Sequence, residues 1–336
     1  MIPYFSLLIL ILWIGLGESS IITADNIQNL RGELRLDFEE VEARGLKPGS
    51  GIFVMNADAS RVVSFASDGI APPLSTAVIW DGKTGELLKT ITLESNFYDR
   101  FLTEQSLLVA TQTGVTAYNL TDGSAEDVLV IEAAVEVWEH NDGAVCVETF
   151  PEMGRTSGLV MCQGWGEPLA LFEDDPDMSR IGRVPPPFAV TTTENGDVFL
   201  WNLLSNQVLA SANVEDVAVF GAINTEATHL AWRDPMSAEL HLLDFATGED
   251  RRVAPLSGAF ISFLLLAPNA DVILGIDPMD ARGEVIAWNT ETGDKITLGK
   301  YRPCNRQQPD LAQLSSDGSA LVIGCDTGLE IWRIGR

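Results

Sequence analysis

The sequence predicts an all-β chain folded as a seven-bladed β-propeller whose ring is closed by an N-terminal strand. Three observations predict it. An apolar strand ending in a bulky residue and a polar turn recurs at near-constant spacing. Each recurrence is preceded by two further strand-like runs. The last recurrence stops short, while a spare strand-like run stands before the first.

The recurring stretch is clearest in "VIWDGKTGELLKTITL" from residue 78. Echoes begin at 198 ("VFLWNLLSNQVLASANV"), 240 ("LHLLDFATGEDRRVAPL"), 285 ("VIAWNTETGDKITLG") and 329 ("LEIWRIGR"), with weaker copies at 115 and 158. The residues before the turn are Trp80, Tyr118, Met161, Trp201, Leu243, Trp288 and Trp332, spaced 38 to 45 residues apart. A fixed period of this size over most of a chain marks a repeat architecture.

Each unit reads as strands. Positions three and one before the anchor are mostly apolar (Ala77/Ile79, Val198/Leu200, Leu240/Leu242, Val285/Ala287, Leu329/Ile331), while the residue between varies from Phe199 to His241 to Glu330. That alternation is the period of a strand with one face buried. "DGKTGE", "DFATGE" and "NTETGD" then supply Asx and Gly turn chemistry. Upstream runs such as 264–276 and 311–324 add two more short strands. Four antiparallel strands per period make a propeller blade. Pro and Gly in every unit argue against a helical repeat. The chain ends at Arg336, before the last unit gains a fourth strand. Residues 32–43, "GELRLDFEEVEA", alternate and are expected to supply it, since an open ring leaves an unpaired edge. The count is seven blades, with six or eight as alternatives.

Residues 1–24 are expected to be a secretory signal peptide, or a short uncleaved anchor, and 25–336 a single propeller domain. The opening is apolar to Gly17, a small-x-small site follows at Gly17-Glu18-Ser19, and Ala24 offers a second cut. No Lys or Arg precedes Arg31, so only the terminal amine supplies the positive end. An exported chain suits four cysteines as disulfides. Cys146 and Cys162 flank one predicted hairpin and Cys304 and Cys325 another more loosely, so neighbour pairing is preferred among three connectivities. No His lies in the local segment of any of them, and His140, His229 and His241 are scattered, so no metal site is expected. The expected location is secreted or extracytoplasmic.

With 48 acidic and 21 basic residues the formal net charge is −27. Such a surface repels phosphate backbones and anionic headgroups, which argues against nucleic-acid binding. The acidic run "EDDPD" at 173–177 matches no calcium loop and reads as a solvated loop. Asn119-Leu120-Thr121 is a glycosylation sequon in an expected surface turn, relevant only in a eukaryotic secretory pathway.

The Trp80-Asp81 turn followed by Thr84-Gly85-Glu86, with Ser-Asp-Gly strand pairs upstream, resembles the WD-repeat β-propellers over residues ~30–336. It departs from them in having no Gly-His dipeptide, so that family's His-centred hydrogen-bond network is not expected. Only Trp80-Asp81 is a literal match; Trp201-Asn202, Trp288-Asn289 and Trp332-Arg333 are degenerate. The pattern suits a divergent exported member, or the neighbouring quinoprotein-like propellers.

Catalytic signatures are absent from the sequence: no G-x-S-x-G, H-E-x-x-H, Walker or dinucleotide motif occurs. No enzyme activity and no cofactor are expected. The expected function is a protein- or peptide-binding scaffold, a monomeric ring. The alternative is a quinoprotein-like or hydrolytic enzyme with a site in the central channel. The resemblance implies docking on the rim loops that join the second and third strands of each blade. Here these are 67–76, 150–158, 233–239 and 276–284. Asp234-Pro235-Met236 and Asp277-Pro278-Met279 occupy matching places, and a third loop carries Met153. Beside Arg155, Arg233 and Arg282, these methionines suggest an adaptable apolar surface with charged margins. Asp-Pro is also ordinary turn chemistry, the plainer reading of the same residues.

Overall fold

In the computed structural model the described residues are 21–67, 76–93, 97–140, 142–149, 158–171, 179–180, 184, 186–193, 195–214, 221–234, 236–256, 261–277, 283–301, 304, 309 and 311–335. They form seven four-stranded antiparallel sheets in a ring, a seven-bladed β-propeller.

The strand β1 (Leu30–Asp37) precedes the first blade. Blade 1 is β2 (Lys47–Met55), β3 (Arg61–Ser67), β4 (Thr76–Asp81) and β5 (Leu87–Thr92). Blade 2 is β6 (Asp99–Leu102), β7 (Ser106–Thr111), β8 (Gly114–Asn119) and β9 (Ala125–Val130). Blade 3 is β10 (Ala134–Glu139), β11 (Val145–Thr149), β12 (Leu159–Cys162) and β13 (Leu169–Ala170). Blade 4 is β14 (Ser179–Arg180), β15 (Phe188–Thr192), β16 (Asp197–Asn202) and β17 (Gln207–Asn213). Blade 5 is β18 (Gly221–Ile223), β19 (His229–Arg233), β20 (Glu239–Asp244) and β21 (Glu249–Pro255). Blade 6 is β22 (Phe263–Leu266), β23 (Val272–Asp277), β24 (Glu284–Asn289) and β25 (Lys295–Lys300). Blade 7 is β26 (Leu311–Leu314), β27 (Ala320–Cys325) and β28 (Gly328–Ile334), completed by β1.

The ring closes as the truncated last repeat requires: β1 pairs antiparallel with β28, from Leu30 opposite Ile334 to Asp37 opposite Gly328. The expected strand over 32–43 is corrected at its end. Residues Glu39–Ala43 form a short helix, α1, that buries Val41. Phe38 and Val41 both enter the layer between blades 7 and 1, and a spacing of three suits a helix face. Before β1, Ile22 is fully buried between blades 6 and 7, and its N–H donates to the Gly318 carbonyl at 2.8 Å.

The core is not central. Apolar side chains gather in seven layers, each between neighbouring blades. In β4, Val78 and Trp80 face blade 7 while Ala77 and Ile79 face blade 2. The expectation of one buried face per strand is therefore corrected, because a blade packed on both sides buries both faces.

The recurring turn keeps its chemistry across the ring. Oδ1 of Asp81 accepts from the N–H groups of Lys83 and Thr84, both at 2.8 Å. Oδ1 of Asn119 and Asn289 does the same in blades 2 and 6, and Oδ1 of Asn202 and Asp244 accepts from the N–H two residues on in blades 4 and 5. Four residues on, Gly85, Gly123, Gly248 and Gly293 adopt φ of 70° to 81°, the left-handed region that favours glycine.

Disulfides join Cys146 to Cys162 across β11 and β12, and Cys304 to Cys325, the neighbour pairing expected. Among the described residues no helix is long and apolar enough to cross a membrane.

Candidate partner-binding face

Alternating strand direction gives the ring two unlike faces. One carries the first-to-second and third-to-fourth strand connections, mostly tight Asx turns. The other carries the second-to-third connections and the links between blades. The loops 67–76, 150–158, 233–239 and 276–284 all fall on this second face, joining β3 to β4, β11 to β12, β19 to β20 and β23 to β24.

Met153, Arg155, Met279 and Arg282 lie outside the described residues. Arg233 ends β19 and Asp277 ends β23. Asp234 opens the blade 5 loop and works as a turn-maker. Its Oδ1 accepts from the Met236 N–H at 2.7 Å, and its Oδ2 accepts from the Ser237 hydroxyl. The Ser237 hydroxyl chiefly, with the Met236 and Ser237 N–H groups, holds its carboxyl below the ordinary aspartate value against the opposing effect of burial. The plainer reading of Asp-Pro thus fits Asp234. Met236 is different: it is 84% exposed.

Two more exposed apolar residues share this face. Val130 (84% exposed) ends the outer strand of blade 2, and Tyr98 (58%) precedes its inner strand. The same face also has a rigid part. Gly283, with φ +43°, lies so close under the Tyr301 ring that a Cβ there would come within 2.0 Å of it. Burial, with the nearby Asp277 carboxylate, pushes the Tyr301 hydroxyl up to about 12.

Several polar arrangements were not legible in the sequence. Trp80 Nε1 donates to Ser64 Oγ, and Trp201 Nε1 to Thr191 Oγ1, each at 2.8 Å. In both, the hydroxyl sits on the second strand, opposite the residue two before the tryptophan. The matching positions for Trp288 and Trp332 are Gly275 and Ile323, and among the described residues those indoles find no hydrogen-bond partner. The signal was therefore a hydroxyl at one register position.

In blade 5, Asp250 accepts from Trp232 Nε1 on Oδ1 and meets His241 Nδ1 on Oδ2, both at 3.0 Å. Glu239 Oε2 stands 3.9 Å from His241 Nε2, and its Oε1 is 3.0 Å from Arg252 Nη2. This set links three strands of the blade. At the innermost strands, β6, which carries Asp99 and Arg100, adjoins β10 of the next blade. Asp99 Oδ2 accepts from the Val137 N–H at 3.1 Å, and Arg100 lies 5.0 Å over the Phe65 ring, so both tie neighbouring blades together. Among the described residues no group of three His, Cys, Asp or Glu is placed to hold a metal ion.

No protein-family model matches this chain, and no curated protein matches it in sequence.

Proposed function

We propose that the chain is a divergent WD-repeat-type propeller, exported from the cytoplasm, that holds protein or peptide partners on its second face without catalysing a reaction. The exposed apolar residues on that face carry the reading. Met236 stands exposed in sequence beside Arg233 and Asp234 in blade 5, and Val130 and Tyr98 add apolar exposure in blade 2; a flexible thioether with charged neighbours suits adaptable recognition. The recurring Asx-Gly turn after Trp80 and its counterparts supports the family assignment. Two disulfides support export, since such bonds persist in oxidising compartments.

The test is affinity capture from the native extracytoplasmic fraction with wild type and with Met236→Asp/Met279→Asp. The variant should lose partner capture by about tenfold or more, as loss of an interface hot spot does, while its melting temperature stays close to wild type. Undiminished capture overturns the reading.

A further inference from the structure

Among the described residues every blade ends in an outer strand whose far edge has no strand beyond it, a row of backbone N–H and C=O groups ready to pair with another chain. Natural sheets blunt such edges with charge, proline or brevity. Six of the seven outer strands here do so. β5 carries Lys89, β25 two lysines and β9 two acids; β1 carries four charges; β21 carries four charges and Pro255; β13 has two residues.

The seventh, β17 of blade 4, does none of these. Its seven residues, "QVLASAN", hold no charge and no proline, and Val208 (44%) and Leu209 (50%) are exposed. On its inner side it pairs with β16 from Asp197 opposite Asn213 to Asn202 opposite Gln207, with one bulge at Leu209. This is the one outer strand whose sequence leaves pairing open.

We propose that β17 is an acceptor edge for an extended peptide strand with basic flanks, added antiparallel to blade 4. The backbone supplies the hydrogen bonds, and the adjacent Val208 and Leu209, exposed where the strand bulges, supply apolar contact. Charge selects the occupant. The chain carries −27, and from Val184 to Trp232 its sequence contains no Lys or Arg. Ala210 and Ala212 of β17 pack on the layer shared with blade 5. On that side blade 5 presents Glu239 and Asp250 against Arg252, a cation already held by Glu239. A second copy of the chain would bring another −27 to the edge for the hydrogen bonds of one short strand. An extended peptide with Lys or Arg at its ends gains the same bonds and attraction as well. This edge is separate from the face carrying Met236.

The probe is a labelled, end-blocked peptide with three Thr-Val repeats between Lys-Lys flanks, compared with the same peptide between Glu-Glu flanks. Fluorescence anisotropy should show the basic peptide binding at least tenfold tighter and weakening as salt rises. Hydrogen exchange should show new protection of β17 amides. Leu209→Lys/Ser211→Lys places charge on exposed positions, so it should fold normally and lose the peptide by tenfold or more. Met236→Asp should bind it as wild type does, which keeps this result independent of the second face. Equal binding of both peptides, absence of binding, or binding untouched by the β17 variant overturns the proposal. So does a wild-type dimer in sedimentation that the β17 variant abolishes, which would give the edge to a second copy.

Discussion

Arg333 Nη2 donates to the carbonyl oxygen of Ala59 at 2.9 Å, joining the final strand of the chain to the first turn of blade 1. The same guanidinium reaches the Gly82 carbonyl through Nη1 at 2.9 Å, so one side chain holds two turns of blade 1. In the other repeats this position is mostly Asp or Asn making an Asx turn. After Trp332 the next strand of the blade is β1, and the position is used to clasp the ring.

Arg333→Ala should therefore weaken closure specifically. The loss of charge-assisted bonds to carbonyls is worth about 1–3 kcal/mol, read by urea unfolding. Faster amide exchange should be confined to blades 7 and 1. Arg333→Lys should not restore it, since a single ammonium cannot match the spread of the guanidinium fork.

Ser64→Ala removes the acceptor of a buried indole N–H and leaves Trp80 in the position of Trp288 and Trp332. A cost of about 1–3 kcal/mol is expected, the desolvation penalty of an unsatisfied donor. Thr191→Ala should behave similarly against Trp201. Ser64→Thr should retain the bond. An equal loss in Ser64→Thr and Ser64→Ala would show that packing, rather than the hydrogen bond, sets the cost.

Acid should weaken the ring through its turns. In Asp81 and Asp244 burial pulls the carboxyl upward, and hydrogen bonds, chiefly from the backbone N–H groups that follow, more than offset it. Both end below the ordinary value. A carboxyl with a lowered folded value stabilises the fold above its unfolded value of about 4 and loses that contribution as pH falls through the folded value. Melting temperature should drop steeply below about pH 4. Asn already serves at the matching positions 119, 202 and 289, so Asp81→Asn/Asp244→Asn should match wild type at pH 7 and drop less in acid.

Alkali should act through Tyr301. Its hydroxyl is raised to about 12 by burial and by Asp277, so the neutral form stabilises the fold. That contribution is complete below the unfolded value of about 10 and is lost as pH rises toward the folded value. The buried hydroxyl has no hydrogen-bond partner among the described residues, so Tyr301→Phe should be neutral or stabilising by up to about 1 kcal/mol at pH 7. It should also flatten the fall in stability between pH 10 and 12, read by chemical denaturation.

Much of this fold was legible because its signals are local. The anchors Trp80, Trp201 and Trp288 stand at the ends of alternating runs, and the Asx and Gly turns after them follow from backbone chemistry within five residues. Residues 39–43 misled because a short acidic stretch alternates whether it is strand or helix, and the spacing of Phe38 and Val41 was the only discriminating sign. The Ser64–Trp80 bond and the Trp232–Asp250–His241 set depend on cross-strand register, which a single sequence does not print. Arg333 looked like a decayed turn residue because its partners lie more than 250 residues away. At the second face, Asp234 reads the same as turn-maker or as contact, and only the exposure of Met236 beside it separates the two roles.

Pairing β1 with β28 also sets a timetable for synthesis. Leu30 emerges from the ribosome about 300 residues before its partner Ile334. At 5–20 residues per second that interval is on the order of 15–60 s. Throughout it β1 has no strand to join, and six blades can assemble while the ring stays open. The entropy of bringing the chain ends together is then spent in one late step, so the contact of highest sequence separation closes last.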